Sequence, residues 1–174
     1  SFFALKVRRP KKQRHPIRRS DVLQIDKISP SLATNAQTDK LRQYFEFIPY
    51  HPVSVSSELV GTTIEELLIH NFPTKNSWEN SRLSNYPEEV VLRLDHRSEI
   101  KFVLIRAKIN RPIPEVIVYI GDGVCGNFND TKYLKSGVGY RVTEEGCTIK
   151  VNGIGNFIKL VFPRGNMKTQ DNPF

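Results

Sequence analysis

From Pro87 onward, apolar side chains return at every second residue. Val90, Leu92 and Leu94 fall on one side of an extended chain, and Val91 and Arg93 on the other. A period of two is the spacing of a β-strand with one face buried. A second run follows almost at once, in which Ile100, Phe102 and Leu104 alternate with Lys101, Val103, Ile105 and Ala107. Pro112 and Pro114 then punctuate the chain before Val116, Val118 and Ile120. Three strands are therefore expected in close succession, with Asp95-His96-Arg97-Ser98 as the turn between the first two. Their connections are too short for a helix, so the neighbours must be antiparallel. Further on, 148–151 and 157–162 repeat the pattern on either side of Asn152-Gly153-Ile154-Gly155, where glycine would permit the positive φ of a tight reversal.

Ahead of these strands the pattern is less regular. An entry strand is expected around Tyr44 to Ile48. Between Thr62 and His70, Thr63 and Glu66 have the spacing of a helix capping box, and Ile64, Leu67 and Leu68 have helical periodicity. The stretch is short and ends at Asn71-Phe72-Pro73. It is followed by a polar loop, 77–87, that carries Trp78, the single tryptophan of the chain.

Several of these segments together resemble a known family. The block 77–94, the segment 100–107, the strand end Pro114-Glu115-Val116-Ile117-Val118-Tyr119-Ile120-Gly121-Asp122 and the late stretch 151–162 look like the N-terminal domain of the ciliary-tip "centrosomal protein of 104 kDa" family. The likeness runs from about Ile48 to Phe174. It implies an all-β fold, a discoidin-like (galactose-binding-domain-like) antiparallel jelly-roll sandwich, and makes 62–70 a strand at its start. It also implies a cytoplasmic, cytoskeletal setting: centrosome, centriole or basal body, axoneme or ciliary tip. The tubulin binding of other domains in that family is not transferred to any residue of this chain.

Charge divides the chain further. Lys6, Arg8, Arg9, Lys11, Lys12, Arg14, Arg18 and Arg19 place eight positive and no negative charges in the first 19 residues. The remaining residues hold 18 basic and 18 acidic side chains, so the net charge of +8 belongs to this lead-in. With Pro10 and Pro16 opposing a helix, residues 1–19 are expected to be a disordered basic arm that becomes ordered on a partner. A linker with docking residues Val22, Leu23, Ile25 and Ile28 fills 20–43, and the jelly roll takes 44–174, as part of a longer protein. Polybasic segments bind nucleic acid, anionic lipid or acidic protein by one screened attraction. Phe2 and Phe3 precede the charges instead of interleaving with them, which argues against stacking on bases. An acidic, tubulin-like surface and other ciliary proteins are the expected partners, within a larger assembly. Apolar runs are too short for a membrane helix, and the basic amino end does not fit a secretory signal.

Site chemistry is sparse. Gly121-Asp122-Gly123-Val124-Cys125-Gly126 satisfies a dinucleotide-binding pattern, but Asn127-Phe128-Asn129-Asp130-Thr131 lacks the helix that must follow it. The stretch reads as a loop. Asp122, Asn127, Asn129 and Asp130 are oxygen donors of the kind calcium prefers and equally what a tight turn demands; no metal or other cofactor is expected. Trp78 and Arg82 could form a ligand- or protein-binding loop, or fold back to cap the core and pair with Glu79 or Glu88. His15, His51, His70 and His96 are scattered, and Cys125 and Cys147 have no metal-type spacing and read as reduced thiols. The expected function is that of a non-catalytic interaction domain: the jelly roll docks a protein partner and the arm grips an acidic surface. A glycan- or calcium-binding ligand module is the alternative.

Overall fold

The computed structural model describes residues 4–10, 45–57, 86–107, 111–123 and 127–164. They form seven strands: β1 (Ala4–Pro10), β2 (Phe45–Ile48), β3 (Tyr50–Val55), β4 (Glu88–Arg106), β5 (Ile113–Gly121), β6 (Tyr133–Val142) and β7 (Cys147–Phe162). All pairings are antiparallel, in the order β2-β1-β4-β7-β5-β6, with β3 beside β4. The all-β expectation holds, and β2 falls where the entry strand was expected.

Two long strands organise the sheet. β4 and β7 run side by side from Glu88↔Phe162 to Ile105↔Cys147. On its other edge, β4 pairs with β3 through Val90–Leu94 and with β1 through Phe102–Arg106. β7 pairs with β5 only through Phe157–Val161. One hydrogen-bonded sheet thus folds over on itself, its two halves joined by strands that pass through both, as in sandwiches whose corners are turned by bulged strands. A Cβ at Gly137 of β6 would meet the Lys150 carbonyl and Val151 of β7 at 2.8 Å, so the two layers meet face to face.

The core lies between them. Val90, Leu92 and Leu94 from one half of β4, Val103 and Ile105 from the other, Val116, Val118 and Ile120 of β5, and Ile149, Val151, Ile158 and Leu160 of β7 form a single buried cluster. Each such aliphatic side chain contributes about 1.5–3 kcal/mol on removal from water.

Three expectations are corrected. Asp95–Ser98 does not divide two strands, because β4 is continuous from Glu88 to Arg106. Leu94, Asp95, His96 and Arg97 instead stand opposite the single residue Asn156, between the pairs Arg93↔Phe157 and Ser98↔Gly155. This outsized bulge takes up the bend. A second irregularity, between Ile100 and Phe102, switches the inward face, so that Val103 and Ile105 join Ile100 in the core in place of Phe102 and Leu104.

Asn152–Gly155 does not reverse the chain either. β7 runs straight through it, and Gly146 in the preceding turn is the glycine with positive φ among the described residues (98°). Gly155 serves close approach: a Cβ there would collide with the Gly121 carbonyl oxygen and meet Ile120 at 2.8 Å. The third correction concerns the arm. Ala4–Pro10 is a strand inside the sheet, between β2 and β4, so Lys6, Arg8 and Arg9 belong to the β body. Its backbone groups are paired on both edges, which an unattached arm could not offer.

Candidate functional site: a cleft at the β4 corner

The outsized bulge does more than bend the sheet. It places four consecutive residues, 94–97, beside the start of β3 and opposite Asn156 of β7. A cleft of about 340 Å³ forms there, lined by His51, Arg93, Leu94, Asp95, His96, Arg97 and Asn156. Leu94 is buried and continues into the core, whereas Arg93, Asp95, His96 and Arg97 are exposed. The cleft therefore has an apolar floor and a charged rim.

Internal partners hold its walls. His51 Nε2 lies 2.9 Å from Asp95 Oδ1, and the Asp95 amide donates to the Pro49 carbonyl at 3.2 Å, tying the bulge to β3. On the opposite side Arg97 grips Asp122 with two nitrogens: Nε donates to Oδ1 and Oδ2 at 3.0 and 2.9 Å, and Nη2 to Oδ2 at 2.6 Å. The Asp122 carboxyl is held below its usual range, chiefly by these hydrogen bonds and also by the guanidinium charge. Arg97 is pushed up for the same reasons.

Asn156 completes the frame. Its Oδ1 accepts from the Gly123 amide and its Nδ2 donates to the Gly123 carbonyl, both at 2.9 Å, so one side chain imitates a strand pair and pins the loop after β5 to β7. Beneath that loop, Phe157 is fully buried and Thr131 covered, with the Thr131 hydroxyl donating to the Asn127 carbonyl at 2.7 Å. The Arg93 side chain is treated differently from its neighbours. It is exposed, and no hydrogen bond or ion pair engages it among the described residues.

The expected site residues fare unevenly. Asn127, Asn129 and Asp130 come together in one turn: Asn127 Nδ2 donates to Asp130 Oδ2 at 2.6 Å, and the Asn129 amide donates to Asn127 Oδ1 at 3.1 Å. Asp122 is committed to Arg97 instead. No group of three or more His, Cys, Asp or Glu suited to a metal occurs among the described residues. Glu88 is buried and accepts from the Ser56 hydroxyl and, at 2.7 Å, from that of Ser57. Trp78, Arg82, Cys125, the stretch 62–70, and Lys11, Lys12, Arg14, Arg18 and Arg19 lie outside the described residues. Cys147 is a buried free thiol at the start of β7, its pKa raised by burial.

No family model matches the chain. It is similar to human "Centrosomal protein of 104 kDa", 25% identical over 126 residues, an alignment that covers 66% of this chain and 14% of that protein. The chain thus spans about one seventh of the length of this relative. Among solved structures, the C-terminal domain of a chitobiase from Bacteroides fragilis superposes with a TM-score of 0.56 at 19% identity, covering 68% of this chain and 83% of that one. The fold is the discoidin-like jelly roll. The CBM32-1 and CBM32-2 domains of Clostridium perfringens ZmpB, in complex with GalNAc, give a TM-score of 0.49 at 15% identity, over 64% of this chain and 30% of that one.

His51, Arg93 and Asn156 were not marked by the sequence. Asp95 sits beside His96, which draws attention to the wrong histidine; its partner His51 is 44 positions away and meets it only through the β3–β4 pairing. Arg93 carried one faint signal, as the only charged residue within the alternating run from Val90 to Leu94.

Proposed function

We propose that the chain is a non-catalytic interaction domain of a centrosomal or ciliary microtubule-associated protein. The jelly roll docks a protein partner through the face that carries the β4 corner, and the basic residues of the lead-in bind an acidic, tubulin-like surface. One observation carries this reading: the similarity to a centrosomal protein over 66% of the chain. The cleft supports it chemically, because His51, Asp95, Arg97 and Asn156 are fixed by partners into a rim beside the exposed Arg93. No helix among the described residues is long and apolar enough to cross a membrane, and the proposed setting is the cytoskeleton.

Microtubule co-sedimentation of the full chain across a salt series tests the proposal. The comparison is with a variant in which Lys11, Lys12, Arg14, Arg18 and Arg19 are changed to Gln, which leaves β1 intact. Binding that weakens steeply with salt and falls at least several-fold in the variant is the expected result. Binding that is absent, or that ignores both salt and substitution, overturns the microtubule reading.

A further inference from the structure

Two guanidinium groups, two imidazoles and one carboxylate line the β4-corner cleft. That carboxylate, Asp95, is answered by His51, and Arg97 is answered by Asp122 from the loop after β5. Arg93 is left over: an exposed guanidinium with no partner among the described residues, held beside the fixed His51–Asp95 pair by its register across from His51. A cation so placed, with its neighbours already satisfied, is organised for an anion that the chain itself does not supply.

The shape of the charge selects the class of anion. A nucleic-acid backbone carries a charge on every residue and needs a track of cations to follow. Here Asp95 and Asp122 interrupt any such track at the rim. A single carboxylate asks for less: one planar fork of N–H donors suits it, which is the particular strength of arginine over lysine. The cleft lies at the small end of the range for pockets that hold ligands, enough for one or two side chains of an extended peptide.

We propose that the β4-corner cleft is a carboxylate-binding notch in which Arg93 takes an aspartate or glutamate side chain from an acidic segment of a protein partner. The notch deepens the proposed function by naming what the jelly roll itself recognises, and it rests on that reading only in assuming a protein partner. The lead-in and the notch are separate elements that can fail separately.

Fluorescence anisotropy of the full chain with a labelled glutamate-rich peptide distinguishes them. Four proteins are compared: wild type, Arg93→Gln, Arg93→Lys, and the five-fold Gln variant of the lead-in. Arg93→Gln should weaken binding about tenfold, the scale of one lost charge-assisted hydrogen-bonding pair. Arg93→Lys should recover only part of it, since the charge returns without the fork. Amide shifts on peptide addition should centre on His51, Asp95 and Asn156 in wild type and vanish in Arg93→Gln. If the lead-in variant abolishes binding while Arg93→Gln leaves affinity and amide shifts unchanged, the notch is overturned and the proposed function stands. If Arg93→Gln alone abolishes it, the notch stands without the lead-in. Tighter binding of a single-stranded oligonucleotide than of the peptide, lost in Arg93→Gln, would also overturn the acidic-peptide assignment. Because Arg93 is exposed, its variants should melt as wild type does. Should Arg93→Gln fail to fold, Arg93→Lys and the amide shifts decide.

Discussion

At the scale of single residues, the corner is held by side chains that do the work of backbone. Asn156 continues the β5–β7 contact past its last ladder pair by bonding both backbone groups of Gly123, and the Arg97–Asp122 fork anchors the same loop from the opposite side. The fork has a titration signature. Asp122 ionises below the usual carboxylate range in the folded chain, so its contribution is complete above the ordinary carboxylate pKa and is lost as pH falls through the lowered one. Carboxyl-detected NMR should show an Asp122 midpoint below that of an isolated aspartate. Arg97→Gln should return it toward the ordinary value, and an unchanged midpoint would remove Arg97 as the cause. Nothing in the sequence announces this partnership, because Arg97 and Asp122 belong to β4 and the loop after β5 and meet only once the sheet is folded. The same holds for His51 and Asp95. Side-chain identity was plain in each case, and long-range adjacency was not.

Strands were easier to foresee than their ends. Period-two alternation located β4, β5 and β7 because one face of each is buried over most of its length. What misled was the reading of polar and glycine-containing interruptions as turns. Asp95–Arg97 and Asn152–Gly155 resemble turn sequences because bulges and close packing recruit the same residue types that turns do. Gly155, Ile154 and Gly153 pair with Ser98, Glu99 and Ile100, immediately beyond the excursion, so the ladder resumes past both interruptions and neither ends its strand. Gly155→Ala separates the two readings. At a reversal with positive φ and room for a Cβ, alanine would cost only about 1 kcal/mol; here it collides with the Gly121 carbonyl, and β5 must move. A loss of about 3 kcal/mol or more is expected, at the upper end of overpacking costs, measurable by urea unfolding. A neutral Gly155→Ala would contradict the β5–β7 contact.

The whole molecule joins its first residues to its centre. β1 lies between β2 and β4, so the chain cannot shed 1–10 as a dispensable tail. Deleting them unpairs one edge of β4 from Phe102 to Arg106 and leaves β2 with no strand to pair with in the observed sheet order. The expected outcome is a thermal midpoint lowered by several degrees or more, by the usual conversion of about 1 kcal/mol into some 2–8 °C for domains of this size range. A deletion that melts unchanged would show β1 to be peripheral. Leu5 and Val7 do alternate with Lys6 and Arg8, but the density of positive charge that follows outweighed a strand signal of only a few residues. The two-layer jelly roll was legible as a class from alternation and from the resemblance. The threading of β4 and β7 through both layers was not, since it depends on where the bulge falls.

That bulge has a further consequence. The ladder is intact on both sides of residues 94–97, from Glu88 to Arg93 and again from Ser98. Residues could be spliced in beside His96 without shifting the β4–β7 register on either side, whereas Leu94 is held by its pairing with Tyr50 and by the core. The scaffold and the rim of the cleft can therefore diverge at different rates, one fixed by pairing and the other open to exchange.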